Sequence, residues 1–120
     1  MKTILVVDDE SASAELLSLV LEDEGYHTVC AANGQQGLAR VRDEHPHLVV
    51  VDFMMPVMNG GDMAKALRES EDTASIRILM NSSLPEEAVR QYVTNYDAFL
   101  RKPYEVDVAL GVIRRLLATE

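Results

Sequence analysis

Residues 47–60 read HLVVVDFMMPVMNG, and this stretch decides the fold. Leu48, Val49, Val50 and Val51 form a short apolar run, mostly β-branched and bounded by Pro46 and Pro56. Such a run has the composition and length of a strand buried on both faces. It ends on a lone carboxylate, Asp52. A charge at the edge of an apolar core is costly unless it is paired or bound to a cation. Asp52 must therefore be stabilised by a partner, or used.

Working outward, similar runs alternate with helical patterns. Residues 3–7 (TILVV) read as a buried strand, and 11–25 (SASAELLSLVLEDEG) as a helix with serine caps. That helix carries Leu16, Leu17, Val20 and Leu21 on its apolar face, with Gly25 as its stop. The run HTVCAA (27–32) is a second strand, Asn33 an N-cap for the helix 34–44, and Pro46 the break before the strand 48–52. After the loop 53–60, residues 61–70 place Met63, Ala66 and Leu67 on one helical face, and 75–81 (SIRILMN) form a fourth strand. Residues 82–95 carry a helix with Pro85 near its first turn and Glu86 and Glu87 where the helix dipole favours anions. Residues 97–101 (DAFLR) are a fifth strand and 105–120 a closing amphipathic helix. Strict alternation of this kind predicts an α/β fold: a doubly wound, five-stranded parallel sheet with five covering helices and right-handed crossovers.

The gross numbers agree with one packed domain over residues 1–120. The chain is 48% hydrophobic and 26% charged, without low-complexity segments. Its net charge of −9 opposes attraction to nucleic acids and to anionic membranes. No direct nucleic-acid partner and no membrane partner are expected. The apolar run at the N-terminus is too short for a signal segment, which predicts a cytoplasmic protein. The lone Cys30 reads as a small buried hydrophobe, and His27, His45 and His47 are too scattered to share a metal or a phosphoryl group.

In open parallel sheets, ligands bind outside the carboxyl ends of the strands. Asp8 and Asp9 follow the first strand, Asp52 ends the third, Ser82 and Ser83 follow the fourth, and Lys102 follows the fifth. Each alone reads as a cap or surface charge; together they share one rim. Three carboxylates in one cleft repel one another, and a hard divalent cation bound through oxygen relieves them. Mg2+ suits such a set, because it takes few carboxylates and shares its remaining positions with water and phosphate oxygens. Lys102 adds a compact positive charge and a serine hydroxyl a hydrogen bond. These are the parts of a phosphoryl-transfer site, in which an aspartate can serve as the nucleophile. Asp52 is the expected phosphoacceptor.

The motifs ILVVDDE (4–10), VVVDFMMPVMNG (49–60), a serine after the fourth strand, and FLRKPY (99–104) resemble, in order and spacing, the receiver domains of two-component response regulators. The resemblance covers the whole chain and implies the flavodoxin-like strand order 2-1-3-4-5 and a stand-alone receiver. It implies that Asp9 binds Mg2+ directly, Asp8 mainly through a water, and Met54 through its backbone carbonyl. Asp52 would accept phosphate from a phosphohistidine on a sensor histidine kinase or histidine phosphotransfer protein. Lys102 would contact the phosphoryl oxygens, Ser82 would move toward them, and Phe99 would change rotamer with Ser82. The switched face would bind a downstream target protein, the chain being a monomer or weak dimer. Pro103 would follow Lys102 through a cis bond, and Pro56 and Gly60 would shape the loop after Asp52, Gly60 relieving a backbone constraint. Met54 and Leu84 fall at the positions beside the path of the water that hydrolyses the phosphoaspartate.

Some features depart from that pattern. Asn95 and Tyr96 stand where the family often has Gly-Ala, with Asn95 able to adopt left-handed geometry. The twenty residues from Ser82 to Lys102 are fewer than usual, which predicts a shortened fourth helix or leading loop. Ser82 rather than Ser83 matches the switch hydroxyl. The methionines of 53–58 are expected to pack beneath the loop, and Glu10 to begin the first helix. Two rival functions are an aspartyl-nucleophile phosphatase and a receiver-like module that binds without being phosphorylated. The phosphatase would need a second acid just after Asp52, where Met54 stands, and a cap that no insertion here provides. Retention of Asp8, Asp9, Asp52, Ser82 and Lys102 argues against the unphosphorylated module.

Overall fold

The computed structural model describes residues 1–118. Five strands alternate with five helices: β1 (Thr3–Val7), α1 (Ser11–Asp23), β2 (His27–Ala31), α2 (Gly34–Glu44), β3 (Leu48–Asp52), α3 (Gly60–Glu69), β4 (Arg77–Ser82), α4 (Glu86–Arg90), β5 (Ala98–Arg101) and α5 (Val106–Ala118). The strands form one parallel sheet in the order β2-β1-β3-β4-β5. The strands read from residues 3–7 and 48–52 have those bounds. The closing helix is predicted to residue 120, and its last two positions lie outside the described residues.

Because strand side chains alternate between faces, the sheet divides its core in two. Ile4, Val6, Leu48, Val50, Leu79 and Leu100 face α1 and α5. Leu5, Val7, Val49, Val51, Ile78 and Met80 face α2, α3 and Val89 of α4. β1 and β3 are buried on both faces, which is why their sequences are continuously apolar. Each fully buried aliphatic side chain of this kind contributes about 1.5–3 kcal/mol.

Several local expectations need correction. In α1 the buried positions are Ala14, Leu17, Ser18 and Leu21, while Leu16 is exposed, so the apolar stripe is rotated from the predicted one. No serine caps that helix; Glu10 is the N-cap, and its N–H is held by Asp8 Oδ1 at 2.9 Å. Ala64 rather than Ala66 completes the buried face of α3. Cys30 is only partly buried, with its sulfur 3.1 Å from the Ser18 hydroxyl. Asn95 does not adopt the left-handed conformation; His45 and Val57 are the non-glycine residues with positive φ among those described. Gly60 is required for close approach rather than for its dihedrals, since a Cβ there would sit 2.5 Å from the Asp52 carbonyl oxygen. Asn33 does cap α2, accepting from Gln36 N at 2.9 Å. Gly25, with φ of 97°, does end α1. α4 is a single turn, in line with the short spacing from Ser82 to Lys102.

Candidate functional site

Alternation along the strands carries the polar residues at their carboxyl ends. Asp8 lies two beyond Val6, Asp52 two beyond Val50, and Lys102 two beyond Leu100, so all three extend the rows that face α1 and α5. Lys102 Nζ donates to Asp8 Oδ2 at 3.0 Å and to Asp52 Oδ2 at 3.1 Å. Asp9 stands beside them on the loop, and oxygens of Asp8, Asp9 and Asp52 lie within 4.8 Å of one another. Asp8 and Asp52 are buried while Asp9 is exposed, leaving the cluster open to solvent on one side. The peptide bond between Lys102 and Pro103 is cis.

Burial pushes the Asp52 carboxyl above its ordinary pKa of 3.8; the hydrogen bond and charge of Lys102 pull it down without cancelling the effect. Burial also works against the Lys102 ammonium, but the two carboxylates it bridges outweigh that and raise its pKa. Three carboxylates thus face one ammonium. The surplus of negative charge, presented by hard oxygen donors, fits a divalent cation. Asp52 Oδ1 also accepts from Met54 N at 3.3 Å, which fixes the backbone just past the strand.

Ser82 is the last residue of β4 and is fully buried. Its hydroxyl accepts from Leu84 N at 3.1 Å and makes no hydrogen bond to the acidic cluster. Ser82 lies two beyond Met80, which is paired with Phe99, so the serine and the aromatic share the other face of the sheet. Ser83 is exposed and, with Lys102, Leu16, Pro103 and Val106, lines a groove of about 430 Å³ that opens onto Asp8. Of the loop methionines, Met55 and Met58 pack on the second core cluster, whereas Met54 is exposed. Leu84 is exposed too.

Asn81 is a buried polar residue at this rim that residue pattern alone does not single out. It pairs with Asp52 in register, is 3% exposed, and its Oδ1 has no hydrogen-bond partner. The clue was available, because Asn81 ends the apolar run of its strand much as Asp52 ends its own.

A family profile described as the response regulator receiver domain matches residues 4–114. The chain is 34% identical over 119 residues to the DNA-binding dual master transcriptional regulator RpaA of Synechocystis, with 98% of this chain and 49% of that protein covered. It spans about half the length of the curated relatives it matches, so the DNA binding in that name is said of a protein about twice as long. Among solved structures, the chemotaxis response regulator CheY4 of Vibrio cholerae superposes with a TM-score of 0.90 at 28% identity, covering 98% of this chain and 99% of that one. The response regulator TrrA of Thermotoga maritima, solved in complex with Mg(2+)-BeF, gives 0.88 at 29% identity, covering 98% and 100%.

Proposed function

This chain belongs to the response regulator receiver family, and from that premise we propose that it is a phosphorylation-switched module of a two-component system with Asp52 as phosphoacceptor. The observation that carries the reading is the Lys102 ammonium bonded to two buried carboxylates, with a third carboxylate beside them. A carboxylate oxygen of Asp52 attacks the phosphorus of a phosphohistidine on a sensor histidine kinase or histidine phosphotransfer protein. The P–N bond breaks, and its electron pair returns to the imidazole nitrogen. The product is an acyl phosphate, so the site needs positioning and charge neutralisation more than covalent machinery. Asp8, Asp9 and Asp52, with the Met54 carbonyl, would hold Mg2+, which when bound supplies positive charge to the phosphoryl oxygens. Lys102 keeps its bond to Asp8 and turns its remaining donors to the new anion.

The switch follows from what the phosphoryl group adds. Ser82 exchanges its bond from Leu84 N for one donated to a phosphoryl oxygen, freeing the start of the α4 segment, and Phe99 follows on the same face of the sheet. The face of α4, β5 and α5 then binds a downstream target protein. Apart from its own phosphorylation and dephosphorylation, the chain catalyses nothing in this reading. None of the described helices is long and apolar enough to cross a membrane.

Incubation with acetyl phosphate tests the assignment. Intact mass should show one added phosphoryl group only when Mg2+ is present, and none on Asp52→Asn. Equal phosphorylation of that variant would remove Asp52 from the role.

A further inference from the structure

Tyr92 occupies a seat that the phosphoacceptor chemistry does not explain. α4 ends at Arg90, and the turn after it carries Tyr92 across to the first turn of α3. There its ring stands edge-on to Phe53, with 5.4 Å between centroids and 76° between planes. Lys65 Nζ lies 4.4 Å from the ring centre. The Tyr92 hydroxyl donates to Asp62 Oδ1 at 2.9 Å and accepts from Asn59 Nδ2 at 3.4 Å. Gly61 makes room for the ring: a Cβ at that position would lie 2.7 Å from Tyr92 Cδ1 and 3.1 Å from the Phe53 ring.

These contacts take hold of both ends of the loop that follows Asp52. At its start, Phe53 N donates to Asn81 O at 2.8 Å, and Phe53 O accepts from Gly60 N at 3.0 Å. At its end, Asn59 Oδ1 caps α3 by accepting from Asp62 N at 2.8 Å. Between them lies Met54, whose N–H is bonded to the Asp52 carboxylate. The Tyr92 side chain therefore bridges the segment after α4 to the backbone that shapes the Asp52 site. Its 45% exposure means that truncation opens a surface notch rather than a core cavity, so a purely packing role would leave ligand affinity unchanged.

We propose that Tyr92 is a positioning residue for the loop after Asp52, clamping that loop at Phe53 and Asn59 and thereby coupling the α4 segment to occupancy of the site. The inference rests on the phosphoacceptor reading of Asp52. A ligand that requires one loop arrangement is weakened in proportion to the fraction of molecules that lose it. The coupling is reciprocal, so a ligand at Asp52 also stabilises the seated Tyr92 and the segment behind it.

The test is calorimetric titration of Mg2+ with beryllofluoride, a phosphate mimic, into wild type, Tyr92→Phe, Tyr92→Ala, Gly61→Ala and the double alanine variant, each checked for folded circular dichroism at the titration temperature. Tyr92→Ala and Gly61→Ala should each lose at least about fivefold in affinity, the low end of coupling between linked sites. The double variant should be no weaker than either single one, because Gly61→Ala acts by unseating the same ring. Tyr92→Phe, which keeps the ring, should lose less than Tyr92→Ala. Beryllofluoride should slow amide exchange across residues 84–93 in wild type and not in Tyr92→Ala. Smaller losses in both single variants, or losses that multiply in the double one, would overturn the inference while leaving the site intact. No binding by wild type would overturn the phosphoacceptor reading, and the inference with it.

Discussion

The two ends of the sheet carry polar clusters of opposite character. At the carboxyl ends, three carboxylates cluster around one ammonium: Lys102 pairs with Asp8 and Asp52, and Asp9 stands beside them open to solvent. At the amino ends, one carboxylate is shared by several donors. Asp97 Oδ2 accepts from Arg68 Nη2 and from Ile78 N, both at 2.7 Å, and Arg77 Nη1 lies 3.8 Å from its other oxygen. Arg68 also reaches the carbonyls of Ala74 and Ile76, tying the end of α3 to the approach to β4. The bond types are the same at both ends. What differs is saturation: the Asp97 cluster is closed by backbone and cations, so it holds the fold. The Asp52 cluster keeps an excess of acceptors, which invites a cation or a phosphoryl group.

The open end should be the more sensitive to chemistry. Met54 and Leu84 are both exposed at its rim, and neither side chain can hydrogen-bond and orient an attacking water. Met54→Asn or Leu84→Lys would supply a group able to do so. A positioned proton-accepting or water-orienting group is typically worth on the order of 10²-fold, so the half-life of the phosphorylated protein should fall about tenfold or more. Loss of the phosphoryl group followed by intact mass measures it. An unchanged half-life in both variants would show that water reaches Asp52 by another route.

The closed end should answer in stability instead. Asp97→Ala leaves Arg68 and Ile78 N without the carboxylate that joins them, at a cost of about 2 kcal/mol for such partly buried, charge-assisted bonds. Urea unfolding should show a lower midpoint with the same slope. Phosphorylation by acetyl phosphate, measured where both proteins are folded, should be unaffected. A loss of phosphorylation with stability retained would reverse the roles assigned to the two ends.

That contrast also explains what could be read from the chain alone. β1 and β3 were legible because burial on both faces makes their sequences continuously apolar, and Asp8, Asp9, Asp52 and Lys102 because parallel topology sends strand ends to one rim. Arg68 and Asp97 were not, since their bond spans 29 residues and depends on backbone donors that no side-chain pattern displays. Leu16 was misplaced because α1 offers two overlapping apolar stripes, and only packing against the sheet chooses the one through Ala14 and Leu17. The seat of Tyr92 required knowing that α4 ends after one turn, which chain spacing suggests but does not locate. The inward Ser82 hydroxyl depends on a local bond to Leu84 N rather than on residue type.

The smallest expected effect concerns the charge on Asp52 itself. Burial raises its pKa in the folded protein above the ordinary 3.8. Below that ordinary value the group is protonated in both states and carries no penalty. As pH rises through the folded-state pKa, the folded protein must hold a charge that the unfolded chain holds more cheaply, so this group's contribution to stability falls. Asp52→Asn removes the penalty and leaves Lys102 paired with Asp8 alone. In the absence of divalent cations the variant should therefore be more stable than wild type at neutral pH, by less than Asp97→Ala costs, and the difference should shrink as pH falls toward the carboxylate range. Adding Mg2+ should favour wild type, because binding to the folded state alone stabilises it by mass action. Urea midpoints at neutral and acid pH, with Mg2+ and with chelator, measure all of this. A metal-free variant less stable than wild type at neutral pH would mean that Lys102 satisfies Asp52 fully, and that the two ends of the sheet are more alike than their donor counts suggest.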